Sequence, residues 1–146
     1  MILYVRQLAW LGAVPDPPKR KISDKPKKEE ERKSRWDRIR DDDRTPELPE
    51  ISAAGYLVQY LFDIGPTLAG GMGDAPLTHS EVRAFMENTG ISLQPWEAQA
   101  LRTLSRAYVA ESSRATDPAC PPPFGETAIS SERRAAVAKK IDAFFG

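Results

Sequence analysis

The sequence has few of the side chains from which active sites and metal centres are built. Its 146 residues include one cysteine and one histidine. A single thiol cannot form an internal disulfide, so Cys120 fits a reducing compartment. Zinc and related metals prefer His and Cys ligands, and only scattered carboxylates remain. A Cys120–His79 dyad would lack a third group to orient it. We therefore expect neither catalysis nor a bound metal or cofactor.

The chain also lacks a net charge and a long hydrophobic run. It carries 21 basic and 21 acidic residues, a balance that favours neither nucleic-acid binding nor attraction to a membrane surface. The apolar start, MILYVRQLAWLG, is interrupted by Arg6 and is too short to span a bilayer. No small-residue cleavage site follows it, as a signal peptide would require. This start predicts either a short helix over 2–11, ended by Gly12, or disorder.

Two polar segments divide the chain. Residues 15–50 contain twelve Lys or Arg and eleven Asp or Glu, with too few apolar side chains to fold alone. Pairs such as Glu29–Lys33 and Glu31–Arg35 would support at most a transient helix over 27–41. The second segment, 114–130, contains DPACPPPFG and predicts a Pro-rich linker. The predicted divisions are 1–14 as the short helix or disordered start, 15–47 as a charged linker, 48–113 as the helical domain, 114–130 as the second linker and 131–146 as a C-terminal helix.

The domain over 48–113 is expected to be a three-helix module. Its first helix, 51–64, would be capped by Ser52 and ended by Gly65-Pro66. That helix is apolar on nearly every side, which in a small domain is typical of an element that meets partners on two faces. The period assigns Leu57, Leu61 and Ile64 inward and leaves the flanks for contacts. The aromatic side chains predicted to bind a partner are Tyr56, Tyr60 and Phe62.

Capping residues mark where the next two helices begin and where the first of them ends. A glycine-rich loop over 65–77, without a phosphate-binding pattern, leads to a capping box formed by Thr78 and Glu81. It begins a helix over 79–88, which Gly90 ends. Pro95 begins the next helix, 95–113. The residues predicted to shape this pair are Thr78, Glu81, Gly90, Pro95, Trp96, Leu101 and Leu104, with Trp96 packed at the corner between the helices.

The fold class predicted is all-α: a three-helix module with a charged flexible N-terminal arm and a tethered C-terminal helix. Residues 1–46 are expected to contribute few apolar side chains to any core. The C-terminal helix would carry a second partner-binding stripe, made of Val137, Ile141, Phe144 and Phe145.

A helix-turn-helix DNA reader is the alternative. The helices over 79–88 and 95–113 are joined by a short turn, and the second displays Gln99, Arg102, Thr103 and Arg106. However, residues 51–146 carry eight positive and ten negative charges, whereas phosphate contacts need a basic face. We therefore prefer a reading without nucleic acid.

Several of these features together resemble the small tail assembly proteins of long-tailed bacteriophages and prophages. That group includes the tail assembly chaperones and the downstream half of their frameshift-extended forms. The resemblance covers about 47–110, and Thr-Gly-x-x-Leu-x-Pro-Trp-Glu is its sharpest part. The residues that carry it are Leu48-Pro49, Pro76-Leu77-Thr78 with Glu81, Thr89-Gly90, Pro95-Trp96-Glu97, Leu101, Leu104 and Ala107-Tyr108.

The resemblance implies a non-catalytic assembly factor. Such proteins coat the tape measure protein, keep its hydrophobic helices soluble and recruit tail tube protein subunits. Self-association is a further expected mode. The resemblance also implies that the protein acts in the host bacterial cytoplasm and is absent from the mature virion, with no membrane partner.

Overall fold

The computed structural model describes residues 1–17, 32–51 and 53–125. These residues are mainly helical, with one small antiparallel sheet. The elements in chain order are α1 (Ile2–Gly12), α2 (Arg35–Asp41), α3 (Tyr56–Ile64), β1 (Leu68–Gly70), β2 (Gly73–Ala75), α4 (His79–Thr89) and α5 (Pro95–Arg114). The predicted helical character is thus confirmed, and the hairpin of β1 and β2 lies in the glycine-rich loop predicted over 65–77.

The local punctuation signals act as predicted. The Thr78 side chain accepts a hydrogen bond from the Ser80 N–H, and the Glu81 carboxylate accepts one from the Thr78 N–H at 3.0 Å. Helix α4 therefore begins with a full capping box. Gly90 ends α4 in the left-handed conformation, φ 72°, and its N–H donates to the Met86 carbonyl. Pro95 is the first residue of α5.

The start of α3 differs from the prediction. The helix begins at Tyr56 rather than at residue 51, and Ser52 lies outside the described residues. Ala54 has a positive φ of 51°, a conformation that a right-handed helix cannot contain. The chain therefore turns at Ala54 and enters the helix through Gly55. Its end is as predicted, with Gly65 at φ 98°.

The main hydrophobic core joins the N-terminal helix to the helices of the predicted domain. Helix α1 packs most extensively against α5, and α3 packs on α5 as well. The side chains buried in this main core are Val5, Leu57, Val58, Leu61, Leu77, Val82, Leu101 and Leu104. The expectation that 1–46 contributes few apolar side chains to a core is therefore wrong. The core extends beyond the predicted domain of 48–113.

A second, smaller hydrophobic cluster lies at the C-terminal end of α1. Trp10, Leu11, Ala115 and Cys120 are buried together, and Trp36 of α2 packs beside them. The Trp10 indole N–H donates to the Cys120 carbonyl at 2.9 Å. The Pro-rich segment after α5 thus contacts α1 through Cys120 and through Phe124. Helix α2 lies within the predicted charged linker.

Arg35 ties this cluster together from α2. The residue is 7% exposed, and its guanidinium lies over the Trp10 ring, 4.5 Å from the ring centroid. It donates to the backbone carbonyls of Trp10 (3.3 Å), Ala115 (2.6 Å) and Asp117 (2.9 Å). Burial lowers the pKa of Arg35 below its ordinary value. A pairing of Arg35 with Glu31, as the helical spacing predicted, falls outside the described residues because Glu31 does.

Trp96 is the clearest error among the predicted core residues. Its side chain is 53% exposed, whereas Leu101 and Leu104 on the same helix are buried as predicted. Trp96 is the second residue of α5, and it is exposed to solvent instead of buried between α4 and α5.

Candidate partner-binding surface

Helix α3 buries one face and exposes aromatic side chains on its flanks. Leu57 and Leu61 are fully buried and Ile64 is half-buried, so the predicted inward stripe is confirmed. On the flanks, Tyr56 is 44% exposed and Phe62 is 39% exposed. A helix this short therefore offers large apolar side chains to both the core and the solvent.

The three aromatic residues predicted to bind a partner do not form one patch. Tyr60 lies between Tyr56 and Phe85, with ring centroids 5.6 and 5.5 Å apart, and it is half-buried against the main core. Phe62 lies about 200° round the helix from Tyr60 and packs edge-on against Tyr108 at 5.7 Å. The surface consequently has two separate parts, one led by Tyr56 and the other by Phe62.

Tyr56 is also anchored by a charge. Its hydroxyl donates to a carboxylate oxygen of Glu97, and the other oxygen of Glu97 accepts from the Gln94 N–H at 2.6 Å. The hydrogen bond from Tyr56 and then that from Gln94 lower the pKa of Glu97. The hydrogen bond to Glu97 raises the pKa of Tyr56. Glu97 is buried and joins the beginnings of α3 and α5, a role that its position as a helix-start acid did not reveal.

An open cleft of about 530 Å³ lies between α3 and α4. Four of its lining side chains are apolar: Ile64, Ala84, Phe85 and Ile91. The others are Asp63, Glu81, Asn88 and Thr89. Among the residues that the structure describes, the lining thus includes two carboxylates and no basic side chain. Sequence reasoning missed this cleft, because the loose contact between α3 and α4 that creates it has no local pattern.

A second cleft, of about 610 Å³, lies beside the hairpin. Its lining includes Val14, Asp74 and Val109, and Met72 is fully exposed at the hairpin turn. The glycine-rich loop predicted over 65–77 therefore contains a two-stranded turn that exposes the Met72 side chain.

The two side chains considered for nucleophilic chemistry lie in different surroundings. His79 Nε2 is 2.6 Å from Arg102 Nη1, whereas Cys120 is buried in the second cluster. Within residues 1–17, 32–51 and 53–125, no group of three or more His, Cys, Asp or Glu is placed to hold a metal ion. In the same residues no helix combines the length and apolarity needed to cross a membrane.

The face that a DNA reader would use is partly engaged within the protein. Arg102 contacts His79, and the Thr103 hydroxyl donates to the Gln99 carbonyl at 3.0 Å. Arg106 is exposed. The second predicted partner stripe, Val137, Ile141, Phe144 and Phe145, lies outside the described residues.

Comparison of the chain with protein-family models, with curated proteins and with solved structures finds no match.

Proposed function

We propose that this protein is a non-catalytic tail assembly chaperone of a long-tailed bacteriophage or prophage. In this proposal it binds hydrophobic helices of the tape measure protein and aids assembly of the tail tube. It acts in the host bacterial cytoplasm, recruits tail tube protein and leaves before the virion is mature.

The observation that carries the proposal is the exposure of α3. A helix that already buries Leu57 and Leu61 still presents Tyr56 and Phe62 to solvent. These two side chains lead two separate parts of the surface, and each places a large apolar group in solvent beside a helix that already serves the core. Tyrosine suits a surface where one end of the side chain stays wet. A protein that holds hydrophobic helices in solution requires such a surface. The resemblance of 47–110 to tail assembly proteins supplies the identity of the client.

Coexpression with the matching tape measure protein, followed by affinity capture of the intact chain, tests the proposal. We expect the tape measure protein to be captured, and capture to fall at least about tenfold, or 1.4 kcal/mol, when Tyr56→Ser and Phe62→Ser are combined. Trp96→Ser is the matched control, since it removes an exposed aromatic ring that lies off α3. Thermal unfolding of each variant shows whether the fold is retained.

Absence of capture by the intact protein would contradict the chaperone proposal. Capture that is equally strong with the double variant and with Trp96→Ser would contradict the assignment of the surface to α3.

A further inference from the structure

One wall of the cleft between α3 and α4 runs along a single helix face. Its α4 wall is formed by Glu81, Ala84, Phe85 and Asn88, which are spaced as i, i+3, i+4 and i+7. This wall therefore follows one face of α4 for two turns, about 10 Å. A helical ligand uses anchors with the same spacing when it lies in a groove between two helices.

The lining combines an apolar base with an acidic rim. Ile64, Phe85 and Ile91 are half-buried, so they can lose further surface to a ligand. Glutamate and aspartate are charged at neutral pH, and the hydrogen bond from Thr78 lowers the pKa of Glu81 further. Asp63 accepts from the Gln59 amide at 2.8 Å through one oxygen.

We propose that this cleft binds an amphipathic helix whose apolar stripe is flanked by Lys or Arg. The apolar stripe would cover Phe85, Ile64 and Ile91. The basic side chains would reach the carboxylates of Asp63 and Glu81, since complementary charge gives an interface its specificity. A helix flanked by acidic residues would meet two like charges, and the described lining residues include no cation to offset them. The inference rests on the proposed function for the identity of the client, and on the cleft alone for the client's chemistry.

The test uses two synthetic amphipathic peptides of about 18 residues with the same leucine stripe. One carries lysines beside the stripe and the other carries glutamates at the same positions. Titration of the full chain against each labelled peptide, followed by fluorescence anisotropy, measures both affinities. We expect the lysine peptide to bind about tenfold more tightly or better, with the difference shrinking as salt is added.

Matched variants locate the binding. Asp63→Asn combined with Glu81→Gln should abolish the preference for lysine, and glutamine at 81 still supports the capping box. Glu87→Gln removes an exposed carboxylate of α4 that does not line the cleft, so the preference should persist. Ala84→Trp fills the cleft from an exposed position and should remove binding of the lysine peptide.

Three results would overturn the inference: equal binding of the two peptides, a lysine preference that survives Asp63→Asn with Glu81→Gln, or peptide binding unaffected by Ala84→Trp. Self-association of the intact chain that Ala84→Trp abolishes would also overturn it, because a second copy would then occupy the cleft.

The two proposals can fail separately. Cleft-dependent peptide binding without capture of the tape measure protein would contradict the chaperone function alone. Capture that Ala84→Trp leaves intact would contradict the cleft assignment alone.

Discussion

Arg35 is a buried cation that donates to three backbone carbonyls within the described part of the chain. Its guanidinium connects α2 to the end of α1 and to the turn that follows α5. Three carbonyls that would otherwise lie beside an apolar cluster obtain a donor from this one side chain. In the sequence, Arg35 is one of many charges in 15–50 and a helical neighbour of Glu31. No local pattern indicates the carbonyls that it contacts, because they are 25 to 82 residues away.

We predict that Arg35→Ala lowers the free energy of unfolding by about 2–4 kcal/mol, because it leaves buried carbonyls without a donor and removes the contact with Trp10. Arg38→Ala, an exposed position on the same helix, should change it by about 0.5 kcal/mol or less. Urea denaturation measures both. Equal stability of the two variants would show that the Arg35 contacts contribute nothing net.

The Tyr56–Glu97 pair gives a prediction about pH. We expect Tyr56→Phe to raise the pKa of Glu97, because the variant removes the hydrogen bond that lowers it most. The bond from the Gln94 N–H remains, so the pKa should stay below its ordinary value. The side-chain carboxyl resonance of Glu97, followed by NMR titration, reports the change.

The sign of the linked stability follows from the same pair. A carboxyl whose pKa is lower in the folded state stabilises the fold above its unfolded pKa, and this contribution disappears as the pH falls through the folded pKa. Tyr56→Phe should therefore weaken the loss of stability on acidification. An unchanged Glu97 pKa in the variant would contradict the hydrogen bond.

At the scale of the element, local signals were the reliable ones. Thr78 with Glu81, Gly90 and Pro95 act within a few residues of themselves, and each was confirmed. The hairpin was not predicted, since strands of three residues built from Gly and Ala carry no strand pattern. The start of α3 was missed because the positive φ of Ala54 has no signal in the residue type. The exposure of Tyr56 and Phe62 followed from the helical period, but the cleft beside α4 depends on how two helices pack.

Trp96 and Leu101 of α5 were both predicted to be structural residues, but the structure buries only Leu101. Trp96→Ala should cost about 1 kcal/mol or less, because half of the side chain is already in solvent. Leu101→Ala, in the main core, should cost about 2–5 kcal/mol. Chemical denaturation decides between this outcome and the one that the sequence favoured. A loss of about 3 kcal/mol or more in Trp96→Ala would show that Trp96 is a core residue.

At the scale of the whole molecule, the core is assembled from distant parts of the chain. Val5 belongs to the same buried cluster as Leu101 and Leu104, and the Phe124 N–H donates to the Gln7 side chain at 3.1 Å. Apolar periodicity marked 2–11 as a helix, but a period cannot say what a helix packs against. The charged and Pro-rich compositions favoured linkers, because composition does not show that single residues such as Arg35 and Cys120 are buried.

The N-terminal helix should therefore be required for stability. Leu11→Ala should lower the free energy of unfolding by about 2–5 kcal/mol, whereas Leu3→Ala, at an exposed position of α1, should have little effect. Removal of residues 1–13 should lower the melting temperature by more than about 10 °C. Differential scanning calorimetry checks all three. If the truncated chain melted at the same temperature as the intact protein, α1 would contribute nothing to the stability of the core.

The solubility of the tape measure protein in the presence of this protein tests the chaperone claim most directly. The tape measure protein is expressed in bacteria alone, with the intact chain, or with the Tyr56→Ser and Phe62→Ser double variant, and the lysate is separated by centrifugation. We predict that it sediments when expressed alone, stays in the supernatant with the intact chain, and sediments again with the double variant. If it partitions identically with and without the intact chain, the protein is not its chaperone.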